Sequence, residues 1–194
     1  DASKSRGLGD VYKRQDFQRP TPIIKTVHIT IQQAFTGCKI PIQIERWVCH
    51  NSVKSKEEET IYVTIPKGVD DNEIIILEEK GNILSENNKG HIKLFLKVSN
   101  KTQLLRTGLD LLYRKNITLK ESLCGFSFEI NYFDERTFKI NNSNGNVICH
   151  GYKRYIPELG MERDGTIGNL IIEFTVTFPE KLSKSQVEII NGCL

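Results

Sequence analysis

The sequence predicts a mainly β protein made of two tandem copies of one β-rich domain, with short helical turns and a short C-terminal helix. A motif that occurs twice carries the prediction: Ile29-Thr30-Ile31-Gln32-Gln33-Ala34-Phe35-Thr36-Gly37, and then Ile117-Thr118-Leu119-Lys120-Glu121-Ser122-Leu123-Cys124-Gly125. In each copy an alternating apolar strand enters a polar helical turn with one apolar anchor, Phe35 or Leu123, and stops at Gly. A strand of period two follows each Gly, through Ile40, Ile42 and Ile44 in the first copy and Phe126, Phe128 and Ile130 in the second. A further pair of stretches, Gly90 to Val98 and Gly168 to Val176, matches in pattern and in position within its half. Self-similarity on this scale marks a duplicated unit.

Residues 1–15 lack periodicity, and Asp10-Val11-Tyr12-Lys13-Arg14-Gln15 resembles the translated end of a sequencing-library adapter. They are set aside as a disordered adapter scar. The first domain is expected over residues 16–113. Asp16 to Pro22, with two prolines, reads as an extended lead. Ile24 to Ile31 follows as a strand with Val27, Ile29 and Ile31 on one face, and Cys38 to Trp47 as the next. His50 to Glu59 is polar and reads as a solvated hairpin tip, after which Thr60 to Ile65 returns. Pro66-Lys67-Gly68 is turn chemistry. Glu73 to Leu77 and Gly90 to Val98 complete the sheet, and Leu104 to Tyr113 crosses to the second copy.

The second domain is expected over residues 114–182. Its strands are Asn116 to Leu119, Phe126 to Tyr132, Thr137 to Ile140, Asn146 to Cys149 and Leu170 to Phe178, with Asp134-Glu135-Arg136 as a tight turn. Pro179 ends the last strand. Residues 183–194 form the terminal segment, with Ser183 as the N-cap of a helix through Asn191 that carries Val187 and Ile190 on a narrow apolar stripe.

The totals exclude several classes of function. Of the formal charge of +3, the four cations and two acids of residues 1–15 supply +2, so nothing in the remainder asks for nucleic acid. The five cysteines are widely spaced, with no Cys-x-x-Cys pair and no signal peptide before them, which points to a reducing cytoplasm. The sequons at Asn100, Asn116 and Asn141 then need no glycan. No apolar run is long enough to cross a membrane.

Cys49-His50 and Cys149-His150 suggest a metal site, but adjacent strand residues point to opposite faces and structural zinc ligands are spaced two to four apart. No metal and no cofactor are expected. A nucleophile elbow, a phosphate-cradling Gly loop and His-Glu-x-x-His are all missing, so no catalytic residue is assigned and no enzyme is expected.

The two motifs, with Ile65-Pro66-Lys67-Gly68, Arg106-Thr107-Gly108, Ile156-Pro157-Glu158-Leu159-Gly160-Met161 and Gly168-Asn169-Leu170-Ile171-Ile172-Glu173-Phe174, resemble the C-terminal substrate-binding region of the DnaJ family. The resemblance covers about residues 22 to 190. It implies two β-sandwich-like barrels in tandem, the first binding unfolded clients and the acidic C-terminal tail of a DnaK-type chaperone, and a terminal helix that makes a homodimer. Without a His-Pro-Asp tripeptide or Cys-x-x-Cys-x-Gly-x-Gly repeats, the chain looks like a fragment of the zinc-free, class B branch, with a J-domain expected upstream of Gln15. Some matched positions depart from the family pattern, among them Thr107-Gly108-Leu109-Asp110-Leu111 and Glu158-Leu159-Gly160. One lysine, in Cys38-Lys39-Ile40-Pro41, stands where the family carries a run, and Pro41 removes a main-chain donor from that strand.

On this resemblance, Val27, Ile29, Ile42, Ile44, Ile61, Val63 and Leu104 are expected to form a shallow apolar client groove, since residues two apart on a strand share a face. Lys25, Lys39, Arg46 and Lys67 are expected to meet the acidic tail. Val187, Ile190 and Leu194 are expected to pair two copies. A co-chaperone that assists folding by binding alone is the resulting expectation. The alternatives are a structural dimerisation scaffold without client binding and an uncharacterised enzyme.

Overall fold

The computed structural model describes residues 19–50, 53–133 and 135–193. Residues 1–15, expected to be an adapter scar, lie outside them. The elements in chain order are β1 (Ile23–Thr30), α1 (Ile31–Thr36), β2 (Cys38–His50), β3 (Val53–Ile65), β4 (Ile74–Leu77), β5 (Ile83–Ser85), β6 (Asn88–Lys89), β7 (Ile92–Ser99) and β8 (Leu104–Thr107). The second half runs β9 (Asp110–Thr118), α2 (Leu119–Cys124), β10 (Phe126–Asn131), β11 (Thr137–Asn142), β12 (Lys153–Ile156), β13 (Glu162–Arg163), β14 (Thr166–Ile167), β15 (Leu170–Thr177) and α3 (Lys184–Cys193). The fold is mainly β, as the sequence predicts.

The duplication extends to sheet topology. One sheet has the order β1-β7-β4, and the four-stranded sheet β12-β15-β9-β8 contains the same neighbours, β9 beside β15 beside β12, with β8 added. The hairpin β2-β3 has its counterpart in β10-β11, and the short pair β5-β6 in β13-β14. Both copies of the motif are capping boxes. Thr30 Oγ1 accepts from the Gln33 amide while Gln33 Oε1 accepts from the Thr30 amide, and Thr118 with Glu121 repeats the arrangement. Each six-residue helix stops at a glycine of positive φ, Gly37 at 72° and Gly125 at 94°.

The described residues form two compact units: residues through Lys25 with Gln43–Thr60 and Ile74–Leu94, and Thr26–Ile42 with Ile61–Glu73 and everything from Phe95. In the first unit Asn82 is buried and ties two segments together, donating to the Thr21 carbonyl at 2.9 Å and accepting from the Trp47 amide at 3.1 Å. The hairpin arms are laced by Lys56 with Glu45 and by Arg46 with Glu57 and Glu59.

In the second unit the core lies along β9 and β15, which pair in parallel over eight residues. Alternation on β15 buries Leu170, Ile172, Phe174 and Val176 against Leu111 and Ile117 of β9. Residues 67–73 are pinned within this unit by side chains from further along the chain. Arg106 donates to the Gly68 and Val69 carbonyls and to Asp70, Arg163 donates to Asp70 and Glu73, and Lys67 pairs with Glu162.

Four local expectations need correction. The polar stretch His50 to Glu59 is strand for most of its length: β2 runs to His50 and β3 starts at Val53, because cross-strand ion pairs hold charged residues in an exposed ribbon, and Asn51 and Ser52 lie outside the described residues. Asn146 to Cys149 is not a strand. The Ile148 backbone is taken by Ser122 instead, whose Oγ donates to the Ile148 carbonyl at 2.7 Å and whose carbonyl accepts from the Ile148 amide. The strand of that region is β12, missed because Lys153, Arg154 and Tyr155 are all exposed on an edge and give no alternation. Ile31 and Leu119 open helices rather than close strands, since Thr30 and Thr118 are N-caps. Asp134 of the expected β10-β11 turn lies outside the described residues.

Candidate functional site

The first unit has a groove of about 390 Å³ lined by Lys25, Gln43, Ile44, Glu45, Glu58, Glu59 and Thr60. Strand pairing explains why it lies there. Among the described residues β2 meets β5 at a single bridge, Val48↔Ile83, so Gln43–Glu45 has β3 as strand neighbour and no second one beside it. An unpaired run of strand backbone is a template for an added strand. Charge on the groove is mixed. Glu45 is held below the usual carboxylate range by the hydrogen bond and charge of Lys56, with Lys25 adding to the effect. Arg46, largely covered, lies 3.2 Å from Glu57 and 2.9 Å from Glu59, although Glu59 Oε2 accepts no well-aligned hydrogen bond and is held by charge alone.

The seven residues expected to meet a client are placed unevenly. Ile29, Ile42, Ile44, Val63 and Leu104 are buried, none exceeding 8% exposure, while Val27 and Ile61 are half-buried. Ile44 belongs to the first unit and the other six to the second. Of the four cations, Lys25 and Arg46 belong to the first unit. In the second unit, exposed Lys39 lies over the Tyr62 ring at 5.8 Å, and Lys67 is paired to Glu162 at 2.8 Å. Tyr62 is 65% exposed and was not among the sequence-derived residues, since it alternates out of phase with Ile61 and Val63.

At the C-terminal end, Ser183 caps α3, its Oγ accepting from the Gln186 amide. None of the described residues of α3 is buried; Val187 and Ile190 are exposed, as is Ile189, and Leu194 lies outside the described residues. Beside α3 is an apolar groove of about 500 Å³, with Leu119 and Leu123 of α2 on one wall and Leu182 and Ile190 on the other. Leu123, the anchor expected in the second motif, is not buried: it is 40% exposed. Repeat position made it look equivalent to Phe35, whose ring packs against Tyr132 and Phe133, whereas Leu123 lines an open groove.

The described residues hold no group of three or more His, Cys, Asp or Glu able to bind a metal ion. Nor does any of their helices have the length and apolarity to cross a membrane.

Comparison with known proteins places this arrangement. The family model for the DnaJ C terminal domain matches residues 23–179. The chain belongs to the DnaJ family. Among its relatives, DnaJ homolog subfamily A member 4 of Mus musculus is 32% identical over 144 residues, which is 73% of this chain and 36% of the relative. DnaJ homolog subfamily A member 1 homolog of Dictyostelium discoideum is 29% identical over 161 residues, 82% of this chain and 35% of the relative. Chaperone protein dnaJ 2 of Arabidopsis thaliana is 30% identical over 149 residues, 75% of this chain and 36% of the relative. The chain therefore spans little more than a third of the length of these DnaJ relatives. Their names support a C-terminal region of a chaperone family. Two of the three are subfamily A members, so the names do not carry the expected class B assignment.

Proposed function

We propose that this chain is a co-chaperone fragment that binds unfolded polypeptide segments, receives the acidic C-terminal tail of a DnaK-type chaperone, and works in the cytoplasm as a homodimer by binding alone, without catalysis. The observation that carries the reading is the second edge of β2 at Gln43–Glu45, which faces no strand among the described residues and adjoins an open groove, and which fits an extended client adding as a strand. Main-chain hydrogen bonds are indifferent to sequence, as a general client binder requires. Val27 and Ile61 keep enough exposure to touch a client, while Ile29, Ile42, Val63 and Leu104 support their strands from the buried side, and Ile44 does so in the first unit.

Lys25, Lys39, Arg46 and Lys67 supply charge for the tail. Arg46 and Lys67 already hold Glu57, Glu59 and Glu162, so tail carboxylates replace those partners, whereas Lys25 and Lys39 are reached directly. Dimerisation is supported by α3, a ten-residue helix with no buried residue among those described, since a helix of that length rarely persists in water without packing. A scaffold without client binding rests on that same observation.

Suppression of aggregation of a chemically denatured client separates the two readings. A Val27→Ser/Ile61→Ser variant should fold and lose most of the suppression seen with the parent. If parent and variant both fail to suppress while both remain dimeric, the scaffold reading replaces the client reading.

A further inference from the structure

The outer face of the sheet β12-β15-β9-β8 carries an apolar row that crosses all four strands. The register sets Tyr155 of β12 beside Ile171 of β15, Ile171 beside Leu112 of β9, and Leu112 beside Leu105 of β8. These four share a face because alternation turns their neighbours Leu170, Ile172, Leu111 and Leu104 into the core. Tyr155 and Leu105 are exposed large apolar groups, and Ile171 and Leu112 are half-buried. A continuous apolar row on a solvent-facing sheet marks a place of contact. In the first copy of the repeat the matching position is charged: Lys93 holds within Gly90 to Val98 the place that Ile171 holds within Gly168 to Val176. None of the four residues lines the groove at Gln43–Glu45 or the one beside α3.

A segment lying across four strands has to satisfy its own backbone, because the face of a sheet offers it side chains and no main-chain partners. A helix does so. Its pitch of about 5.4 Å is close to the strand spacing of about 4.8 Å, so each turn sets one apolar side chain over one strand. Two residues along the strands, a charged row borders the apolar one. Lys153 lies beside Glu173 and Glu173 beside Arg114, in ion pairs of 3.4 and 3.2 Å. Two cations divide one carboxylate, which leaves this border positive. On the opposite border Asp110 is already held by Asn169, through its amide at 2.7 Å and its side chain at 3.0 Å. We propose that this sheet face docks an amphipathic helix of a partner protein, its apolar stripe set across the four strands and flanked by carboxylates that meet Arg114 and Lys153.

The probe is a labelled synthetic helix with a Leu stripe flanked by Glu. It is compared with a helix flanked by Lys and with a Glu-flanked peptide broken by a central Pro, all titrated by fluorescence anisotropy. The Glu-flanked helix should bind the parent saturably and more tightly than either control. Ile171→Lys, which gives β15 the residue that the first copy carries at this place, should weaken it roughly tenfold or more, by burying a charge under the stripe. Tyr155→Ser, at an exposed site where folding is not at risk, should weaken it severalfold. Arg114→Glu/Lys153→Glu should weaken it roughly threefold to tenfold, from two exposed ion pairs, and should improve binding of the Lys-flanked helix. No binding, equal binding of either control, or binding untouched by both Ile171→Lys and Tyr155→Ser overturns the proposal. Light scattering reads the competing occupant: if Tyr155→Ser converts a dimer to monomer and the Glu-flanked helix does not bind, the face joins two copies and the proposal fails.

Discussion

The Arg163 guanidinium grips Glu73 with two prongs, donating to the two carboxylate oxygens at 3.0 and 2.9 Å. These residues are 90 positions apart in the chain yet belong to one compact unit. Burial alone would push the Glu73 carboxyl up, but the Asp70 amide and the Arg163 fork outweigh it and hold the group below its ordinary value. A carboxyl depressed in the folded state adds stability above its unfolded pKa and loses it as pH falls through the folded one. Unfolding free energy should therefore decline on acidification from the usual carboxylate range downward. Glu73→Gln should flatten that decline, and Arg163→Ala should cost about 1 kcal/mol at neutral pH, the pair being partly exposed. Urea unfolding across a pH series reads both. A Glu73→Gln variant with an unchanged acid limb would count against this account.

Gly68 is the most constrained glycine of the same region. Its φ is +74°, and a Cβ there would lie 2.4 Å from the Glu162 carbonyl oxygen and 2.8 Å from Arg163 Cβ. Gly108 shares the left-handed conformation, with φ +63°, but a Cβ there meets nothing within 4 Å. Gly68→Ala should then cost roughly 3 kcal/mol or more, combining backbone strain with displacement of a packed strand. Gly108→Ala should cost about 1 kcal/mol. Equal losses in thermal or urea unfolding would show that close approach at Gly68 is unimportant.

The duplicated architecture was legible in the sequence because each copy repeats an alternating strand, a polar turn with one apolar residue and a closing Gly, whereas the capping boxes of Thr30 and Thr118 went unread and left Ile31 and Leu119 on strands. The strands on either side follow from alternation. Burial of single residues was less legible: Ile42 and Ile44 read as a surface pair because period two says that they share a face without saying which face is covered. Tyr62, one residue out of phase, was overlooked for the same reason. β12 failed differently, since an edge strand carrying Lys153, Arg154 and Tyr155 has no buried side to generate a pattern. The α2 groove was hidden by the assumption that Leu123 repeats the role of Phe35, when the rings that cover Phe35 come from far along the chain.

The dimer proposal turns on α3. Val187→Glu places a carboxylate on the exposed apolar stripe that Val187 shares with Ile190, and no described residue of the helix is buried, so folding should be unaffected. Light scattering over a concentration series should give a dimer mass for the parent and a monomer mass for the variant. Identical masses for the two would remove Val187 from the contact.

Tail binding should be electrostatic. An acidic tail peptide should bind at low salt and weaken as ionic strength rises, because exposed Lys25 and Lys39 act through a screened field. Lys25→Glu/Lys39→Glu should weaken binding roughly tenfold. Affinity indifferent to both salt and substitution would exclude these lysines.

Hydrogen exchange on the protein with and without a permanently unfolded, carboxymethylated client tests strand addition most directly. The amides of Gln43, Ile44 and Glu45 should include ones that slow when client is present, because main-chain bonding to an added strand closes the unpaired edge of β2 beside the Lys25 groove. Saturating client that leaves these amides unchanged while protecting another part of the chain would contradict the account.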